Sequence, residues 1–321
     1  MKLTKLDKAC EIAIVNCMGA KPKEKILVIT DNVKREIGYA LYSNALRLGY
    51  EALYTEIKEG KMHGEEPPKY VADLMLKFDV IFIPTAKSMT HTNARRNASA
   101  KGARVATFPG ITKDVMIRGM NADYEKIAKL TIKLAKMLDK AETARVTAPN
   151  GTDITMYLNG RKGIASKGLF RKKGESGNLP TGEAFIAPLE GKTEGVFVVD
   201  GSMSGVGKIS DKPIKITVKK GFVEKISGGK EARKLRALIK PYGEKAKNIA
   251  EFGIGTNDGV RLSGNLLEDE KVLGTVHIAI GDNKSMGGKV DAPIHLDGVI
   301  KKPTVWLDGK MIMKDGKLSV R

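Results

Sequence analysis

Two of the chain's four histidines, His277 and His295, lie in the stretch E-K-V-L-G-T-V-H-I-A-I-G-D-N-K-S-M-G-G-K-V-D-A-P-I-H-L-D (270–297), and Asp297 follows the second by two positions. The run V-L-G-T-V-H-I-A-I-G is short, apolar and β-branched, which predicts a strand. Strand side chains alternate faces, so Val276, Ile278 and Ile280 share one side while His277 shares the other with Ala279 and Gly281. An imidazole between tiny neighbours has open space in front of it. In H-L-D the same alternation sends His295 and Asp297 off one face while Leu296 packs behind. Two imidazoles and a carboxylate are ligands for zinc, cobalt, manganese or ferrous iron.

Two glutamates occupy similar settings. In A-E-F-G-I-G (250–255) Glu251 shares its face with Gly253 and Gly255, and in N-L-P-T-G-E-A-F-I-A-P (178–188) Glu183 follows Gly182 at the start of a strand. A carboxylate in a short apolar strand meets a steep desolvation cost unless a cation pairs with it, and a metal supplies that cation. Taken singly, each such histidine is more often a core or surface residue, and each glutamate an edge residue facing water. Their gathering in one half of the chain with H…H-x-D shifts the balance towards a metal centre.

The elements that must position these groups change character near residues 140–148. Before that point apolar runs alternate with helical patterns. Strands are predicted at 25–30, 51–57, 79–84 and 103–109, and helices at 3–18, 35–48, 67–77, 93–100 and 123–141. That alternation predicts a doubly wound α/β domain over 1–145. From Val146 onward glycine-punctuated β segments take over, with a single helix at 230–246 and a hairpin at Asp308-Gly309. Residues 146–321 therefore form a β-rich α+β domain that carries the metal ligands. In the first domain, T-H-T-N-A-R-R (90–96) follows a strand end, where open α/β sheets bind ligands. His91 and Arg95 could touch a substrate there, although a helix cap with solvated arginines accounts for the same residues.

Composition narrows the classes. At 321 residues, 41% hydrophobic and 29% charged, the chain is an ordinary globular protein with room for two cores. No apolar run approaches a membrane span, and Asp7, Lys8 and Glu11 interrupt any signal-peptide core. Cys10 and Cys17 read as unbridged thiols of a reducing, cytoplasmic protein. The net charge of +19 is spread over the whole chain with only 5% aromatics, which argues against nucleic acid as a partner. G-x-G-x-x-G after a strand and the Walker pattern are both missing, so nucleotide binding has no support.

The segments N-L-P-T-G-E-A-F-I-A-P, A-E-F-G-I-G-T-N, L-L-E-D-E-K-V-L-G-T-V-H-I-A-I-G and P-I-H-L-D resemble, in order, the metal-binding segments of the aminopeptidase T / aminopeptidase S family of thermophilic metalloproteases. In the first half the likeness is carried by S-M-T-H-T-N-A-R and the run to F-P-G-I-T. The resemblance implies metal ligands at Glu183, Glu251, His277, His295 and Asp297, with Glu270 as a sixth candidate. It also implies two divalent ions (Zn, Co or Mn), a peptide substrate and a homodimer. The expected activity is that of an aminopeptidase: a metal-activated water attacks the peptide carbonyl, with Glu251 or Glu270 moving the proton. The peptidases carry a tyrosine seven residues after the first metal-binding histidine. Here that position is Lys284, which with Asn283 becomes the candidate for steadying the oxyanion.

The resemblance extends to the 2,5-dihydroxypyridine dioxygenases, whose single Fe(II) is held by two histidines and an aspartate. His277, His295 and Asp297 match that set by type. A ring-cleaving iron dioxygenase is therefore the alternative expectation, and a non-catalytic relative the third.

Overall fold

A computed structural model describes residues Lys2–Val320. The chain divides into two units, one running up to Lys126 and including Gly168–Thr181, the other made of Ile127–Lys167 and the chain from Gly182 on. The division is discontinuous, so the single cut expected at 145/146 falls inside the second unit.

The first unit is built on a five-stranded parallel sheet. Its order is Glu51–Ile57, Lys25–Asp31, Val80–Ile83, Arg104–Thr107, Ser176–Asn178. Ile26–Ile29 and Val80–Ile83 are fully buried, as continuous apolar runs covered on both faces must be. Helices Arg35–Arg47, Lys69–Met75 and Asn93–Ala100 connect them. The fifth strand, S-G-N, has no β-branched residue to announce it and belongs to the returning segment. The helix expected over 3–18 is α-helical only at Lys5–Glu11 and continues as a π-helix at Ile12–Cys17, closed by Met18 N–H donating to the Ala13 carbonyl at 3.0 Å. Cys10 and Cys17 are buried free thiols. No helix among the described residues is long and apolar enough to cross a membrane.

The second unit holds two antiparallel sheets. One has eight strands: Phe222–Ser227, Ile214–Lys219, Glu194–Val199, Thr152–Tyr157, Thr143–Ala148, Thr304–Leu307, Lys310–Lys314 and Lys317–Leu318, in that order. The other has seven: β1 (Ile164–Ser166), β2 (Glu183–Ile186), β3 (Ser202–Met203), β4 (Gly207–Lys208), β5 (Ile249–Gly255), β6 (Val276–Gly281) and β7 (His295–Ile300), in the order β4-β3-β7-β6-β5-β2-β1. Ile154, Phe197 and Ile216 of the first sheet share one core with Phe252, Ile254, Ile278 and Ile280 of the second. Leu134 and Leu138 of the helix Tyr124–Lys140 and Leu235 of the helix Lys230–Ile239 complete it. Burying each such side chain contributes roughly 1.5–3 kcal/mol. With the odd-numbered or even-numbered residues of a strand committed to that core, the alternate residues have to leave the opposite face.

Candidate metal centre

Cross-strand register brings the polar residues of that opposite face together. His277 stands opposite Gly253, and Ala279 opposite both Glu251 on one side and Asp297 on the other. Gly281 stands opposite His295, and Gly255 opposite Glu183. Every large polar side chain thus faces a residue with little or no side chain. The clearance is real: a Cβ on Gly253 would lie 2.0 Å from Nε2 of His277. A Cβ on Gly255 would lie 2.2 Å from the Val272 carbonyl oxygen, so that glycine lets the segment 271–272 pack onto the sheet.

Glu251 sits at the centre. Its Oε1 is 3.1 Å from His277 Nε2 and its Oε2 is 3.2 Å from His295 Nε2. Asp297 Oδ1 lies 3.3 Å from His295 Nε2, and Glu183 Oε2 lies 3.5 Å from His277 Nε2. Two overlapping groups result, Glu183–Glu251–His277 and Glu251–His295–Asp297, each with ligand atoms within 4.8 Å of one another. His277 is 1% exposed, whereas the His295 side chain is 30% exposed and forms the open side. The Nδ1–H of His295 donates to the Asp282 carbonyl at 2.7 Å, which leaves Nε2 as the atom offered to the cluster. Ser204 does the equivalent for Asp297: its hydroxyl accepts from the Asp297 backbone N–H at 2.9 Å and approaches Oδ2 at 3.5 Å.

Behind Glu183 lies Lys271, a residue that sequence reasoning missed. Its Nζ is 2.7 Å from Glu183 Oε1 and is bonded to Glu270 Oε1, with its side chain 2% exposed. A lysine directly after E-D-E gives no sign of burial. Its position follows from a backbone tie, the N–H of Asn257 donating to the Lys271 carbonyl at 2.9 Å just beyond the end of β5. Glu270 reaches this group through Lys271 and stands outside the two ligand groups.

The remaining candidates lie elsewhere. Lys284 is exposed in the short 3-10 turn Lys284–Met286, where its ammonium pairs with Asp291 at 2.6 Å rather than with any of the gathered carboxylates. Asn283 is buried but occupied: its Nδ2 donates to Glu190 Oε1 and its Oδ1 accepts from the Val290 N–H, both at 2.9 Å. His91 is exposed in the first unit. Arg95, also there, donates to the Thr90 carbonyl at 2.7 Å and to Ser176 Oγ at 3.1 Å, a structural role.

Electrostatics mark the cluster as a cation site. Three buried carboxylates (Glu183, Glu251, Asp297) and the half-buried Glu270 face one ammonium, so the carboxylates outnumber the fixed positive charge. Burial alone disfavours an imidazolium at His277, yet the hydrogen bond to Glu251 and the charges of Glu183, Glu251 and Asp297 carry it up to about 9. His295 is likewise raised: burial opposes its charge, and Asp297 and Glu251 outweigh that. Burial pushes Glu270 up to about 8, against the pull of Lys271. Without a metal, protons do the neutralising. Glu183 Oε2, which faces His277 Nε2, is buried without a hydrogen-bond partner, and an oxygen left so is what a bound ion resolves. Oxygen and imidazole donors of this kind suit a divalent transition metal.

The model of the family described as 2,5-dihydroxypyridine 5,6-dioxygenase (NicX) matches residues 5–320. The chain belongs to the 2,5-dihydroxypyridine 5,6-dioxygenase family. It is 27% identical over 197 residues to a 2,5-dihydroxypyridine 5,6-dioxygenase of Pseudomonas putida, the match covering 56% of this chain and 55% of that protein. The matched segment thus spans about half of the relative's length. Among solved structures, the 2,5-dihydroxypyridine dioxygenase of P. putida superposes with a TM-score of 0.83 at 18% identity, over 99% of this chain and 98% of that one. AmpT of Thermus thermophilus superposes with a TM-score of 0.68, also at 18% identity, over 98% and 99%. Both share the mixed α/β fold. The expectation of a hydrolase, an aminopeptidase of the metalloprotease type, is overturned by the family match. The segments that carried that expectation belong to a fold common to AmpT and the dioxygenases, and the ligand types they supply do not distinguish the two chemistries.

Proposed function

We propose that this chain is a non-haem Fe(II) dioxygenase that opens a hydroxylated pyridine ring, with 2,5-dihydroxypyridine as the first substrate to test. The observation that carries the reading is a buried 2-His-carboxylate cluster, His277, His295 and Asp297 around Glu251, in a chain matched almost end to end by the dioxygenase family. His277, His295, Asp297 and Glu251 would hold the ion. When bound, it supplies the one-electron chemistry that lets dioxygen react with a closed-shell aromatic ring. In the overall reaction the bond between ring carbons 5 and 6 breaks and each carbon gains one oxygen atom. The ring gives up the four electrons, so no outside reductant is needed.

The chain's own residues prepare this. Asp282 fixes His295 through its carbonyl, and Ser204 fixes Asp297, so both ligands are oriented before anything binds. In the metal-free chain hydrogen bonds from the two imidazoles hold Glu251 below its ordinary range in spite of burial, and its carboxylate is the group placed to accept a proton from a ring hydroxyl. The partly exposed edge of His295 is where a planar substrate can approach.

The test is oxygen uptake by protein loaded anaerobically with Fe(II), with 2,5-dihydroxypyridine added. Uptake that disappears in His295→Ala and Asp297→Ala supports the reading. A folded, iron-loaded protein that consumes no oxygen with this or related hydroxypyridines contradicts it.

A further inference from the structure

The four carboxylates of the cluster divide into two pairs. Glu251 and Asp297 lie on the imidazoles, at 3.1–3.3 Å from His277 and His295. Glu183 and Glu270 lie on Lys271, whose ammonium is 2.7 Å from Glu183 Oε1, bonded to Glu270 Oε1, and sealed from solvent. Nothing about this placement is accidental to the fold. Gly255 stands opposite Glu183 in the sheet, and its missing side chain is what admits the Lys271–Val272 backbone, whose carbonyl carbons and oxygen would otherwise lie 2.2–2.8 Å from a Cβ. The Asn257 N–H and the Glu268 carbonyl then hold Lys271 at its two backbone ends, at 2.9 and 3.0 Å.

Two groups of ligand atoms are available, and they share Glu251. In the Glu183–Glu251–His277 group, one oxygen of Glu183 already has a permanent cation. We infer that Lys271 is a built-in cation standing in for a second metal ion, so that its ammonium limits this centre to the one divalent ion that Glu251, His277, His295 and Asp297 would hold. The inference rests on the metal-centre reading above and deepens it. An ammonium bonded to both Glu183 and Glu270 offsets one of their charges and occupies an oxygen of each, which weakens the pull on a second dication and takes up oxygens that such an ion would need. A device of this kind separates a one-ion centre from a two-ion centre without changing any ligand.

The experiment counts Mn²⁺ ions on the whole, tag-free chain by equilibrium dialysis with elemental analysis, and records the electron paramagnetic resonance of the bound metal. The wild type is expected to take one ion per chain and to show an isolated Mn²⁺ spectrum. Lys271→Met is expected to take two, with the exchange-coupled spectrum of a neighbouring pair, while Lys271→Arg stays at one. Two coupled ions in the wild type overturn the inference but leave the metal-centre reading intact. Binding of no ion by the wild type overturns both. A folded Lys271→Met protein that still takes one ion with unchanged affinity overturns the inference alone. Should Lys271→Met fail to fold, Glu270→Gln with Lys271 retained and the wild-type count decide: one ion in each supports the inference, and two in either overturns it.

Discussion

The imidazole of His277 lies so close over Gly253 that a Cβ there would fall 2.0 Å from Nε2 and 2.2 Å from Cε1. Gly253→Ala should therefore expel the ring from its place, lowering stability by about 1–3 kcal/mol from overpacking and weakening Mn²⁺ binding at least tenfold, as read by calorimetric titration. Unchanged affinity would mean that His277 is not a ligand. The metal-free protein should also have a distinctive pH dependence. His277 is raised from 6.5 to about 9 and Glu270 from 4.5 to about 8. A group whose pKa is higher folded than unfolded contributes stability that is complete below its unfolded value and is lost as pH rises through its folded value. The two contributions should thus fade between about pH 4.5 and 8 for Glu270 and between about pH 6.5 and 9 for His277. Melting of the metal-free chain should fall from pH 6.5 to 9, and added metal should recover more stability at pH 9 than at pH 6.5.

At the scale of elements, the loop 282–294 between β6 and β7 is held by a small polar lattice. Glu190 accepts from Asn283 Nδ2 at 2.9 Å and from the Lys289 N–H at 2.8 Å, and pairs with Arg161, which also donates to the Gly287 carbonyl. That loop presents the Asp282 carbonyl to His295. Asn283→Ala should cost about 1–3 kcal/mol, since it leaves buried partners unpaired, and should weaken metal binding several-fold although the residue touches no ligand. Metal affinity equal to wild type would show the loop to be irrelevant to His295. The strands that carry the ligands were legible in the sequence, because alternation plus the small residues Gly253, Ala279 and Gly281 marks one face as open. The Asp308-Gly309 hairpin was legible too, and both residues adopt positive φ, 48° and 77°, as the tight turn demands. The helix expected to run to 246 stops at Ile239, where Pro241 removes a backbone donor and turns the chain into 3-10 segments. That proline was in plain view. The π-helical continuation at Ile12–Cys17 carried no comparable signal.

At the scale of the molecule, the candidate ligand set of the second unit is contributed by four strands and becomes a site only after the sheet has formed, so metal bound there should stabilise the folded chain. At a free ion concentration one hundred times Kd the gain is about 2.7 kcal/mol, and removal by a chelator should lower the melting temperature by several degrees. His295→Ala should make melting much less sensitive to chelator. A wild type whose melting is indifferent to both metal and chelator would contradict a metal centre. The five candidate ligand positions could be read from four separate stretches of sequence, but Lys271 and the segment Gly168–Thr181 could not, since each takes its place through tertiary contacts that no local pattern encodes. Nor could residue types alone separate an oxygenase from a hydrolase, because imidazoles and carboxylates serve both. The family match over residues 5–320 is what favours the oxygenase.

The most direct measurement follows the oxygen atoms. Iron-loaded protein and 2,5-dihydroxypyridine are incubated under ¹⁸O₂ in ordinary water, and the product is weighed by mass spectrometry. A ring-opened product carrying two labelled atoms is the expected result. A product that carries no label under ¹⁸O₂ but takes it up from H₂¹⁸O would contradict the account and return the centre to hydrolytic chemistry.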